Sequence, residues 1–148
     1  MDFKNMFKME DVTEKFDEKD INDSKVLSLF SYLGILILIP ILACKDSKFA
    51  KFHANQGLKL IILSFVMGLV AGLLSFVLNI FLIILGAMDM PIITIFFSLI
   101  MIVVGLVCMV LGIGLSVIEI LGIVYAVTGK AKKLPVLNVI KYDFIKYE

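Results

Sequence analysis

The chain has 148 residues, 61% of them apolar, with mean hydropathy +1.06 and fourteen lysines against thirteen acids. Soluble domains average about 45–50% apolar residues, so this composition excludes an ordinary water-soluble globule. The near balance of charge excludes a broadly basic surface, and no nucleic-acid partner is expected. The chain is expected to be all-α, a polytopic integral membrane protein with the lipid bilayer as its first partner.

Residues 1–25 are polar, with five lysines and eight acids. Phe3, Phe7, Val12 and Phe16 are too sparse for a core. The segment reads as a mobile tail, with a short amphipathic surface helix as the alternative. No secretory signal is expected here, because the first apolar run begins late and follows acids. Asp23 or Ser24 is placed to cap the helix that follows.

Val26–Cys44 is the first apolar run, barely long enough to span, and Pro40 predicts a kink or early end. The N-terminal tail lies outside if this run crosses, and stays on the side of the lysines if Pro40 turns the run into a shallow hairpin. The polar stretch Ser47–Leu58 comes next and holds the only histidine. Read as a helix, Phe49, Phe52, His53 and Gln56 share one face. Lys48, Lys51, Asn55 and Lys59 share another, which suits a segment at a membrane surface with its lysines towards water.

Leu58–Ala87 is the second run, and no ionisable side chain falls between Leu60 and Met88. Met88-Asp-Met-Pro91 breaks the pattern, with Pro91 at the first position of the next helix and Asp89 near its cap. Pro91–Thr128 is the third run. One straight helix of that length would measure about 57 Å at ~1.5 Å per residue, against a hydrocarbon core of about 30 Å. It must therefore tilt, protrude or break. Three main hydrophobic helices are expected, or four if the last run is broken near Gly112–Gly114. Gly129, Lys130, Lys132, Lys133 and Pro135 form a helix-stop signal. Beyond them Tyr142, Phe144 and Tyr147 interleave with Lys141 and Lys146, as in an interfacial segment or a frayed tail. The segments are thus a polar tail (1–25), a helical membrane domain (26–136) and a Lys/aromatic tail (137–148).

Lysine placement sets topology. Segments 45–59 and 130–146 are both expected in the cytoplasm, with the chain multi-pass in the cell membrane. Within the membrane, Ser64, Gly68, Gly72, Ser75 and Asn79 fall on one arc of the second run. Gly105, Cys108, Gly112, Ser116 and Glu119 fall on one arc of the third. The two stripes predict a single packing seam, since small residues let helix backbones approach in lipid. Glu119 costs roughly 2.5–3.5 kcal/mol if central and should face a partner or a wet cavity, with Gln56 or His53 within reach. It reads as a fixed hydrogen bond between helices, as a polar pathway, or as an interfacial carboxylate. His53 reads as a hydrogen-bonded interfacial residue. Phe96 and Phe97 are core or lipid-facing. Cys44 and Cys108 would lie at different depths as free thiols. No paired carboxylates, nucleophile–base pair or metal-ligand spacing is visible, so no catalytic, cofactor or metal site is expected.

Ser31-Tyr-Leu-Gly34, the stretch Lys45–Leu58, and Gly129 with Leu134-Pro135 resemble a family of small bacterial membrane proteins described as import-component-like. That family is similar to the channel-forming component of the chloroplast inner-envelope protein translocon. Phe49, Phe52, His53, Ala54 and Gln56 match its central element, and Gly129 with Pro135 its final one. The resemblance covers roughly residues 26–136 and implies a bacterial inner-membrane protein with a transport or protein-translocation role. Relatives often carry Arg beside the phenylalanine and are often drawn with four helices. The basic residues here are all lysines, and the tail beyond Pro135 has no counterpart. Two roles are therefore expected. One is a transport or translocation component that forms a homo-oligomer around the seam. The other is an interaction protein, such as an immunity, stress or regulatory factor, bound to another membrane protein.

Overall fold

The computed structural model describes residues 9–137, 140 and 142–146. Phe3, Phe7, Lys141 and Tyr147 lie outside the described residues. The fold is all-helical, and two of its helices are long and apolar enough to cross a membrane. Helix α1 is Glu18–Ser28, α2 is Leu38–Ala43, α3 is Lys48–Ala87 and α4 is Pro91–Val127. The chain separates into two compact units. The first takes residues up to Ile62 and from Ser116 onwards, and the second is Leu63–Leu115.

In the first unit the N-terminal segment is ordered from its first described residues, which corrects the mobile-tail expectation. Val12 donates its N–H to the Ala131 carbonyl at 2.8 Å and Lys133 to that of Glu10 at 2.9 Å. Asp11 and Lys132 sit opposite each other between these bonds as an antiparallel bridge. The helix expected to start after Asp23 starts at Glu18 and is capped by Asp17, whose carboxylate accepts from the Lys19 N–H at 2.8 Å. Ser24 lies inside that helix, its hydroxyl turned back to the Asp20 carbonyl. A small core of Val12, Phe49, Phe52 and Ala131, with Phe16 and Ile21 against it, joins this segment to the start of α3.

The first apolar run is not a spanning helix. It continues α1 into two 3₁₀ segments, Leu29–Tyr32 and Gly34–Ile37, and ends in the six-residue α2. The cause is local. Gly34 takes φ +58°, a left-handed value that a continuing helix does not allow. Pro40 then removes a backbone donor. Long helices therefore number two where three were expected.

The second unit is the hairpin of the two long helices. α3 ends in a Schellman motif, with Met90 N–H bonded to the Leu85 carbonyl and Asp89 N–H to that of Gly86. Asp89 takes φ +54° there, so it closes α3 rather than capping α4. Pro91 is the first residue of α4, as its fixed φ favours. α4 runs unbroken past Gly112 and Gly114, which removes the four-helix alternative. Each glycine costs about 1 kcal/mol of helix propensity but leaves every backbone hydrogen bond in place.

The helix faces also differ from expectation. Along α3 the part-buried positions are Leu63, Met67, Ala71, Ser75, Leu78, Leu82 and the buried Leu85. Along α4 they include Thr94, Phe97, Met101, Val104, Cys108 and Leu115. Phe81 stacks on Phe97 with centroids 5.5 Å apart. A Cβ added at Gly68, Gly72, Gly105 or Gly112 meets no atom within 4 Å. The predicted seam of Ser64, Gly68, Gly72, Gly105 and Gly112 therefore faces outward, with Ser116 likewise exposed. Of the two stripes only Ser75, Cys108 and Glu119 lie on part-buried positions. Most of the inward positions lie one helical position away from the small ones.

Candidate functional site: a buried tyrosine–histidine pair

Among the described residues the most enclosed stretch is the motif itself. Phe52 to Gly57 are buried consecutively, so every face of this part of α3 is covered. The helix start is fixed twice: the Ser47 hydroxyl accepts from Ala50 N–H at 2.9 Å, and the Asp20 carboxylate accepts from Phe49 N–H at 3.0 Å. A carboxylate at a helix N-terminus also complements the helix dipole. The lysine stripe expected to face water is only partly there. Asn55 is 2% and Lys59 9% exposed. The Asn55 side-chain amide pairs with the backbone of Ile145 in both directions, at 2.6 and 2.8 Å. Lys59 Nζ meets the Asp143 carboxylate at 2.7 Å. The C-terminal tail thus covers a face that spacing alone assigned to solvent.

His53 lies at the centre. Its ring is within 4.6 Å of Phe49, 5.3 Å of Phe52 and 5.8 Å of Tyr32, centroid to centroid. Nδ1 is 2.9 Å from the Tyr32 hydroxyl. Two glycines make room for the partner strand of chain. A Cβ on Gly57 would fall 1.8 Å from the Ser31 carbonyl oxygen, and one on Gly122 would fall 2.4 Å from the Tyr32 ring. The backbone approach that sequence assigned to Gly68 and Gly72 is made here instead.

Burial pushes His53 down to about 3, the Lys130 backbone carbonyl opposing the shift. Burial raises Tyr32 far above its ordinary value. Both are therefore neutral at pH 7. A neutral phenol must donate and a neutral Nδ1 must accept, so the tautomer carries its proton on Nε2. Nε2 faces the Lys130 backbone carbonyl without a well-formed hydrogen bond, and Ser31 Oγ and Gln56 Oε1 are buried with no partner among the described residues. A histidine so far from its working range is not poised for general acid–base chemistry at neutral pH.

The other motif residues close the same unit. Ala54 is buried beside His53. Gly129 takes φ +71°, and its N–H and that of Lys130 bond to the Ala126 and Tyr125 carbonyls in a second Schellman motif. Its bare Cα packs on Ile21 of α1, since a Cβ would lie 2.8 Å from the Ile21 side chain. Pro135 opens a turn between the buried Leu134 and Leu137. Glu119 is half-buried, and no hydrogen bond or ion pair among the described residues joins it to His53 or Gln56. Sequence reading placed His53 but missed Tyr32 as its partner; the only signal was Tyr32's place in the short segment before Gly34. Among the described residues no three His, Cys, Asp or Glu side chains gather as a metal site. Comparison of the chain with family models, curated proteins and solved structures finds no match.

Proposed function

We propose that this chain is a two-span integral membrane protein and a non-enzymatic component of a membrane assembly. Its first unit would sit on the cytoplasmic side. The observation that carries the reading is the charge partition. All fourteen lysines fall in the residues of the first unit, and Asp89 is the only charged residue of the second. The helix segments of the second unit, Leu63–Ala87 and Pro91–Leu115, are ~25 residues each, about 37 Å at 1.5 Å per residue. That suits a tilted crossing of a hydrocarbon core about 30 Å thick. Exposed Phe65, Leu69, Phe76, Ile83, Ile92 and Val110 suit lipid or protein neighbours, not water. Lysine-rich loops on the cytoplasmic side follow the usual topology rule.

A single hairpin encloses no pathway, so a transport or translocation role requires association. The outward glycines at 68, 72, 105 and 112 offer backbones free of side chains for that purpose. The resemblance to import-component-like proteins supports translocation over other assembly roles. The test is reconstitution of purified protein in liposomes, with cross-linking at Gly72→Cys in a Cys44→Ser/Cys108→Ala background. Cross-linked oligomers with solute or peptide flux support the reading. A silent monomer that co-purifies with one membrane protein points to the interaction-protein role. Recovery of folded monomer without detergent ends the membrane reading.

A further inference from the structure

We infer that the segment Leu33–Leu42 is a membrane-surface wedge: an apolar patch of the first unit that inserts shallowly among lipid headgroups and upper acyl chains. This rests on the membrane reading given above.

The segment is built to hold one face in and one face out. Tyr32, Ile37 and Pro40 are buried in the first unit. Between and beyond them Ile35 is 81%, Leu38 50% and Leu42 63% exposed, with Leu33 and Leu36 also exposed. Nothing in the chain between Val26 and Cys44 carries a charge. Such a cluster of large aliphatic side chains calls for an apolar neighbour.

Three observations choose lipid as that neighbour. Length forbids a crossing: Gly34–Ala43 would reach only about 15 Å at ~1.5 Å per residue, half of a hydrocarbon core. Part of the segment's backbone is paired within itself, which lowers the cost of a shallow apolar site. Leu33 N–H bonds to the Phe30 carbonyl, Leu36 to Leu33 and Cys44 to Pro40. Finally, Lys45 and Lys48 follow the patch directly and are exposed, placed to meet anionic headgroups.

The chain contains no tryptophan, so single tryptophans report position without background. The full chain is reconstituted in phosphatidylcholine–phosphatidylglycerol vesicles as Ile35→Trp, Leu38→Trp, Phe76→Trp and Glu18→Trp. Each is quenched by aqueous iodide and by lipids brominated high or low on the acyl chain. Ile35→Trp and Leu38→Trp are expected to be quenched about twofold more by high than by low bromines, as befits burial at ~5–10 Å depth. Phe76→Trp should favour low bromines, and Glu18→Trp should respond to iodide alone. Iodide quenching of Ile35→Trp, with Phe76→Trp still in lipid, overturns the wedge and spares the membrane reading. Protection of Ile35→Trp from iodide and bromines alike means protein covers it, which also overturns the wedge. Equal deep quenching of Ile35→Trp and Phe76→Trp means the run spans. Iodide quenching of Phe76→Trp removes the membrane reading itself.

Discussion

Gly57 and Ser31 touch backbone to backbone: a Cβ on Gly57 would fall 1.8 Å from the Ser31 carbonyl oxygen. A carbonyl in a packed segment cannot rotate away as a side-chain tip can. Gly57→Ala should therefore destabilise the first unit by about 3 kcal/mol, the upper part of the usual overpacking range. Gly72→Ala meets open space and should be neutral or stabilising by up to about 1 kcal/mol through helix propensity. Thermal unfolding in detergent compares them. A more damaging Gly72→Ala would restore the small-residue seam within the hairpin.

The Tyr32–His53 pair predicts a pH dependence with a definite sign. The folded pKa is lowered from 6.5 to about 3, so between those values the unfolded chain binds the proton and the folded chain does not. Stability is full above pH 6.5 and is lost as pH falls, by up to about 1.4 kcal/mol per unit. His53→Gln keeps an acceptor for Tyr32 and should flatten the wild-type decline in melting temperature between pH 6.5 and 4.5. Identical slopes for the two proteins would mean that His53 is not the group that titrates.

Tyr32→Phe leaves Nδ1 of His53 buried without a donor. The expected cost is about 1–3 kcal/mol, the usual penalty for orphaning a buried polar atom. Chemical denaturation in detergent measures it. A change near zero would show that the hydroxyl contributes nothing net.

The C-terminal tail is held unequally by two contacts. Asn55 pairs in both directions with buried geometry, whereas Asp143 is 41% exposed where it meets Lys59. An exposed ion pair contributes about 0–1 kcal/mol. Asn55→Ala should therefore speed amide exchange at Ile145 strongly and Lys59→Met only slightly. The reverse order would make the ion pair the anchor.

The proposed topology rests on the charge partition. Single cysteines at Glu14, Lys48 and Lys130, all exposed, should react with a membrane-impermeant maleimide from one side, and a cysteine at Asp89 from the other. The background is again Cys44→Ser/Cys108→Ala. Labelling of Glu14 and Lys130 from opposite faces would require an odd number of crossings.

The long helices were legible because charge-free runs admit few alternatives, and Pro91 and Gly129 marked their boundaries through fixed backbone geometry. The facing sides of the hairpin were not. Between Leu63 and Leu115 nearly every position is apolar, so periodicity cannot pick a side, and small residues were the only mark available. They lie one position away from Leu63, Met67 and Val104, which turn inward. The first apolar run was misread because its break depends on Gly34 and on contacts with Gly57 and Gly122, far away in sequence. Asn55 and Lys59 were assigned to water for the same reason: the tail that covers them is remote in the chain. Of the candidate site, His53 and its phenylalanines were legible, whereas the pairing with Tyr32 was not.

The tight turn at Asp89 bears on how the protein is made. Only Met88, Asp89 and Met90 separate the two long helices. On the proposed topology, membrane insertion carries a single carboxylate to the far side. Central carboxylates cost about 2.5–3.5 kcal/mol on insertion scales, and the turn leaves the hydrocarbon as the helices settle. Each helix satisfies its own backbone on the way. The hairpin can therefore enter the bilayer as one unit after synthesis of both helices, with no polar domain to be translocated.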